Sequence, residues 1–218
     1  MISAGNDVVS LNDIDAIRTQ KPAFYSKILS ATEINLYKQV YIDIIPLHVY
    51  VWLLWSVKES AYKYLQRLQS QLIFSPTKFV VTQLNIPLKI TDKPFNEIQH
   101  AQVGFHNVPV YTAQVRYGPD ALYSNSAVYS NMLHTVVNST PNFEQVSWGI
   151  HTIQNFSPMQ QSVAVRAFLS NTLQTIYPDQ KLQMSKSPHG CPFVWSKSSN
   201  MQLPVSLSHH GQFVAYSF

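Results

Sequence analysis

Charge is scarce in this sequence. Only 12% of its 218 residues are Asp, Glu, Lys or Arg, against roughly 25% in an average domain. A disordered chain shows the reverse, high charge and few apolar residues, whereas here 45% are hydrophobic and 12% aromatic. Cysteine is nearly absent. With Cys191 alone, no disulfide framework can form, and a single thiol suits a reducing, cytoplasmic setting. Long apolar runs are missing too. The longest, residues 44–55, is broken by Pro46 and His48 and falls well short of the roughly 20 residues of a membrane helix. Residues 1–11 carry neither a basic n-region nor an apolar h-region, so no secretory signal is expected. No G-x-S-x-G, Walker A or G-x-G-x-x-G occurs. None of the eight His residues falls into H-x-x-x-H or H-E-x-x-H spacing, so no zinc site is read. Cys191 has no visible partner for nucleophilic catalysis. The cations form no run, which argues against a nucleic-acid arm.

What remains is a chain long enough to bury a large core without staples, and the length fits one elaborated domain or two compact halves. Residues 1–71 read as a short strand followed by helices. Ser30-Ala31-Thr32-Glu33 is a capping box, and the helix it opens places Ile34, Tyr37 and Tyr41 on one face. After Pro46 a longer helix should run to about Leu68, since no Gly or Pro interrupts it. Residues 72–157 read as strand and loop. Alternation predicts strands at 111–117 and 146–151, and residues 121–137 are read as a helix. A helix over 162–176 follows, then short strands near 182–184 and 193–195. A final hairpin turns at His210-Gly211.

Three groups of residues could carry chemistry. On the second helix, Trp55, Glu59 and Lys63 are four apart and share one stripe. This is either an exposed ion pair or a working site. Gly5-Asn6-Asp7-Val8-Val9 reads as a strand presenting one carboxylate. Together with a helical Glu, it could hold a hard cation such as Mg²⁺, which keeps several waters and takes one or two carboxylates plus phosphates. Ser206-Leu207-Ser208-His209-His210-Gly211 puts hydroxyls and imidazoles at a strand end. They serve either the turn or a phosphate.

In this order, these pieces resemble the 4′-phosphopantetheinyl transferase superfamily, closest to the holo-acyl-carrier-protein synthase type. Gly5-Asn6-Asp7 matches its first motif. Phe24 followed by Leu29-Ser30-Ala31-Thr32-Glu33 matches its helix start. Trp55, Lys58, Glu59, Ser60 and Lys63 fit the hallmark W-x-x-K-E-[A/S]-x-x-K, and Gly190-Cys191-Pro192 precedes a V-S-[I/L]-S-H strand at Val205 to His209. The resemblance covers about residues 3–70 and 158–218. It implies an α+β fold with a small antiparallel sheet packed on the long helix, one transferase-like domain over 1–218. Residues 72–157 would be a mostly β insertion or a degenerate second half. One departure is Val9, where longer relatives carry a second metal-binding acid.

The resemblance implies transfer of the phosphopantetheine arm of coenzyme A to a serine of an apo acyl or peptidyl carrier protein, releasing 3′,5′-ADP. It assigns Mg²⁺ to Asp7 and Glu59, and stabilisation or protonation of the leaving α-phosphate to Lys63. The serine proton goes to Glu59 or to a metal-bound water that Glu59 orients. Lys58, Ser208 and His209 are assigned to coenzyme A, and Arg18, Lys21, Lys27 and Lys38 to an acidic carrier. Fatty-acid synthesis is one setting among several for such a carrier. The short type builds its sites between subunits, so a homo-oligomer is open. An inactive relative that merely binds carrier or coenzyme A is the alternative. Neither nucleic acid nor membrane is an expected partner.

Overall fold

The computed structural model describes residues 4–88, 90–155 and 157–218; residue 3, where the family resemblance begins, lies outside them. Twelve strands and two long helices organise the chain among the described residues. Strand β1 (Gly5–Ser10) is followed by the short helices α1 (Ala16–Thr19), α2 (Pro22–Tyr25) and α3 (Ala31–Leu36). The Ser30 capping box forms as read, with Ser30 Oγ accepting from Glu33 N and the Glu33 carboxylate accepting from Ser30 N. From Tyr37 to Tyr41 the backbone widens into a π-helical turn. Helix α4 (Leu47–Gln66) then starts directly after Pro46, and no internal Gly or Pro breaks it.

Helix α4 is the axis of the first half. Tyr50, Val51, Leu53, Leu54, Val57, Ala61 and Leu65 are all buried in one core. They pack against β2 (Val80–Asn85), β4 (Val110–Tyr117), β5 (Asp120–Val128) and β6 (Met132–Asn138), as well as β1. These five strands form one antiparallel sheet in the order β1-β6-β5-β4-β2. Gly5 explains how closely β1 lies on the helix, because a Cβ there would run into the Ser60 carbonyl oxygen.

A second antiparallel sheet runs β11-β12-β7-β3, from β3 (Gln99–Val103), β7 (Ser147–Thr152), β11 (Ser206–His210) and β12 (Phe213–Ser217). Strands of the 72–157 region are thus shared between both sheets. Helix α5 (Pro158–Ile176) covers this sheet through Phe168, Leu169 and Leu173. It begins earlier than the periodicity suggests, with Pro158 at its first turn, where a missing N–H costs nothing. The strands β8 (Leu182–Lys186), β9 (Pro192–Ser196) and β10 (Met201–Pro204) form a third small sheet beside it. Between the two large sheets lies a second core of Val8, Met132, Val136, Trp148, Ile150, Phe213 and Ala215.

Residues 121–137 are strands, not the helix that the sequence suggests. Strand β6 is buried along its whole length, between β1 and β5. A strand covered on both faces has no alternation to read, and small polar residues such as Ser124 and Ser126 sit inside.

The edges β1 and β11 meet without a backbone ladder. Asn6 N donates to Ser206 Oγ at 2.9 Å, and Asn6 Nδ2 donates to Ser206 O at 2.8 Å. Ser208 Oγ donates to Asn6 Oδ1, and Ser10 N donates to His210 Nδ1 at 2.9 Å. The register rises together on both strands, so they run in the same direction. Arg67, at the end of α4, joins the seam by donating to Ala4 O and Val205 O.

His134 lies on β6 between the two sheets, fully buried beside Trp148, with neither ring nitrogen hydrogen-bonded. Burial holds its pKa down at about 3, and His100 and Lys63 push the same way. Its native pKa therefore lies below the unfolded value of 6.5, and the unfolded chain binds the extra proton between the two. Stability from this group is lost as pH falls below about 6.5. Asp7, whose carboxyl burial raises, titrates in both proteins of a comparison and largely cancels. His134→Leu should therefore gain on the wild type by up to about 1.4 kcal/mol per pH unit between pH 6 and 4. Urea unfolding of both proteins across that range checks the slope.

Candidate functional site

Asp7 lies on the face of β1 that meets α4, two residues from the strand's start at Gly5 and opposite Thr135 of β6. Its carbonyl oxygen accepts from Ser56 Oγ at 3.4 Å. One helical turn on, Glu59 and Lys63 project from α4 toward the same point. Lys63 Nζ sits 3.2 Å from Asp7 Oδ1, 3.1 Å from Glu59 Oε1 and 3.0 Å from Asn6 O. The stripe read from the sequence is therefore no ordinary exposed pair. It meets a carboxylate from a strand more than 50 residues away in the chain.

The electrostatics are set by burial. The Asp7 side chain is 7% exposed, and its Oδ2 is buried with no hydrogen-bond partner. Desolvation pushes the Asp7 carboxyl up to about 7 against the pull of Lys63, and the negative charge of Glu59 adds to the rise. For Lys63, burial works against the charged form, but Asp7 and Glu59 outweigh it and the ammonium is held above its ordinary range. One cation thus faces two carboxylates, and one buried carboxylate oxygen stays bare. That donor set fits a hard divalent cation, which wants anionic oxygen and completes its shell with water and phosphate. Val9, at the position of the second acid in longer relatives, is buried in the α4 core. Among the described residues no group of three or more His, Cys, Asp or Glu converges.

Next to this cluster opens a cavity of about 530 Å³ between α5, β8, the loop before β9, and β11. Arg166, Lys186, Gly190, Pro192, Leu207 and His209 line it. His209 is the link between the two places. It faces the cavity, and its ring feels the charges of Lys63 and Glu59, although burial is the main cause of its lowered pKa. His210 points the other way, accepting from Ser10 N and stacking on Trp52 at 6.4 Å.

Two of the residues assigned to coenzyme A stand elsewhere. Lys58 is fully buried, 2.7 Å from Glu33 Oε2 and 2.7 Å from Ile28 O. It follows Val57 into the core, because neighbouring helix positions point about 100° apart. Its ammonium is a structural counter-charge with no path to a phosphate. Ser208 is also turned away. Strand alternation sends Leu207 and His209 to the cavity and Ser208 to Asn6 in the seam.

Arg166 and Lys186 escaped the sequence reading. A faint signal existed, since Arg166 is the one charged residue in α5. Only the packing of α5 against β8 shows that both cations face one cavity. Arg18, Lys21, Lys27 and Lys38 are all exposed on or beside the short helices, and the Arg18 guanidinium lies 5.4 Å from the centre of the Phe24 ring. Among the described residues no helix is long and apolar enough to cross a membrane.

Compared with known proteins, residues 3–110 match the family model described as 4′-phosphopantetheinyl transferase superfamily. No curated protein and no solved structure gives a significant match. The matched stretch holds Asp7, Glu59 and Lys63 but neither α5 nor β11.

The orientation of α4, and with it the site, depends on the Glu33–Lys58 pair. Glu33→Gln would leave the Lys58 ammonium buried opposite a neutral amide and should destabilise the protein by about 3–5 kcal/mol. The double replacement Glu33→Leu with Lys58→Met removes the stranded charge but leaves Ser30 N, Val81 N and Ile28 O without their partners, so it should recover only part of that loss, read as the urea midpoint.

Proposed function

Because the chain belongs, through residues 3–110, to the 4′-phosphopantetheinyl transferase superfamily, we propose that it modifies an apo acyl or peptidyl carrier protein in the manner of a holo-acyl-carrier-protein synthase. The carrier's serine hydroxyl attacks the β-phosphorus of coenzyme A, forming the phosphodiester to phosphopantetheine. The bond to the α-phosphate breaks, and 3′,5′-ADP leaves. The observation that carries this reading is the convergence of Asp7, Glu59 and Lys63, with one bare carboxylate oxygen, beside a cavity lined by Arg166 and Lys186.

The roles follow from position. Asp7 and Glu59 would hold Mg²⁺, which when bound neutralises the pyrophosphate and acts as Lewis acid on the departing oxygen. Glu59 is 27% exposed, so an incoming serine can reach its carboxylate and hand over the proton. Lys63, one turn further, stabilises charge on the leaving α-phosphate. Phosphoryl transfer rests mostly on positioning and charge neutralisation, so this short roster is sufficient. His209, Arg166 and Lys186 would receive the phosphates at the nucleotide end, taking the places first given to Lys58 and Ser208. One chain supplies both the acidic cluster and the cavity, which supports action as a monomer. An acidic carrier would approach the exposed Arg18, Lys21, Lys27 and Lys38, whose charges steer the encounter.

Incubation with coenzyme A, Mg²⁺ and an apo carrier should add one phosphopantetheine group to the carrier, read by intact mass. Asp7→Ala and Glu59→Gln should each lower kcat/KM by on the order of 100-fold or more while the circular dichroism spectrum is unchanged. The buried Val9 in place of a second acid gives some weight to a binding-only relative. Carrier or coenzyme A binding without any mass gain would decide for it. In the cavity, Arg166→Ala and Lys186→Ala should each weaken coenzyme A binding by about tenfold in calorimetry, the loss of one charge-assisted hydrogen bond to phosphate. Unchanged affinity in both variants would move the nucleotide elsewhere.

A further inference from the structure

Lys63 stands where a cation between the two carboxylates would stand. Its Nζ is surrounded by three oxygens, from Asp7, Glu59 and the Asn6 carbonyl, at 3.0–3.2 Å. An ammonium offers three donors and no acceptor, so this is a filled shell of its own kind. A divalent ion bound by Asp7 and Glu59 draws on the same two carboxylates, at about 2.0–2.1 Å for Mg²⁺. Two cations cannot share that space, because their repulsion in a partly dehydrated site is large. The Lys63 stem is flexible while its backbone is fixed in α4. Its ammonium can therefore leave while the helix stays in place.

We propose that Lys63 is the resident counter-ion of this site, and that a divalent cation binds by displacing its ammonium from Asp7 and Glu59. This rests on the reading of those two carboxylates as the metal-holding pair. The lysine keeps two like charges together when no metal is bound. Once displaced, it carries its charge toward whatever phosphate is present. Metal binding is then weak in the free protein and strengthens when a phosphate-bearing substrate accepts the released ammonium. By linkage, the metal strengthens that substrate's binding by the same factor.

The test is a Mn²⁺ titration of the full chain followed by electron paramagnetic resonance of the free ion, first without coenzyme A. Lys63→Gln removes the competitor and should bind Mn²⁺ about tenfold tighter or more. Adding coenzyme A should tighten Mn²⁺ binding to the wild type and do so far less in Lys63→Gln. Glu59→Gln should lose most of its Mn²⁺ affinity. If Glu59→Gln loses binding but Lys63→Gln binds no tighter than the wild type, the displacement is wrong and the metal pair stands. If Glu59→Gln binds Mn²⁺ like the wild type, the metal pair itself is wrong and the displacement falls with it. A second measurement needs no variant. Mg²⁺ at a saturating level should increase acetylation of Lys63 by acetic anhydride several-fold, read by peptide mass spectrometry. Labelling that is unchanged at saturation overturns the displacement.

Discussion

One buried carboxylate ties together elements that are far apart in the chain. Glu33 accepts from Ser30 N at the start of α3, from Lys58 Nζ on α4 and from Val81 N at 2.7 Å on β2. Its side chain and that of Lys58 are both fully buried. Burying an ion pair gives little net stability against a well-packed apolar pair, but a geometry with both carboxylate oxygens answered leaves few other arrangements. The rotation of α4 about its axis is one thing it defines. Lys58 points inward, so Glu59 and Lys63 must point toward β1. In a protein with so few charges, a buried Glu–Lys pair serves the framework and its sequence neighbours serve the site.

The second determinant is the closeness of β1 to α4. Gly5 removes the Cβ that would meet the Ser60 carbonyl, and Asp7 then falls within an ammonium's reach of the helix. On its far edge the same strand is fastened to β11 by side chains of Asn6, Ser206, Ser208 and His210. Strand β1 is therefore shared. One edge and face complete the sheet on α4, and the other edge positions β11, whose Leu207 and His209 form a wall of the cavity.

Local chemistry was readable in the sequence, and long-range partnership was not. The capping box at Ser30 and Glu33 needs only four consecutive residues, and the stripe of Trp55, Glu59 and Lys63 needs only the helical period. Both stand as read. Lys58 and Ser208 failed for one reason. Each belongs to a motif read as a block, and a helix or strand sends neighbours in a motif to different sides. The helix expected over 121–137 failed because β6 is buried along its whole length, and the alternation of β5 from Leu122 to Ser126 puts small serines inside, where hydropathy does not mark it. Arg166 and Lys186 lie 20 residues apart on different elements, and no spacing rule joins them. The match to a known family, ending at residue 110, covers the part of the site with a compact local signature. It stops before the part that only tertiary packing assembles.

The seam between β1 and β11 has a kinetic side. Its hydrogen bonds join residues 200 positions apart, among the longest chain closures available here. Loop closure over such a span carries its entropy cost before any contact is made, so pairings of this kind form late. During synthesis, residues 5–10 emerge long before residues 206–210 and must keep one strand edge open until these appear. Asn6 and Ser10 stand near the two ends of that edge, with apolar Val8 between them. The cavity wall thus depends on a long-range pairing, and any catalysis at this site waits for β11 to join β1.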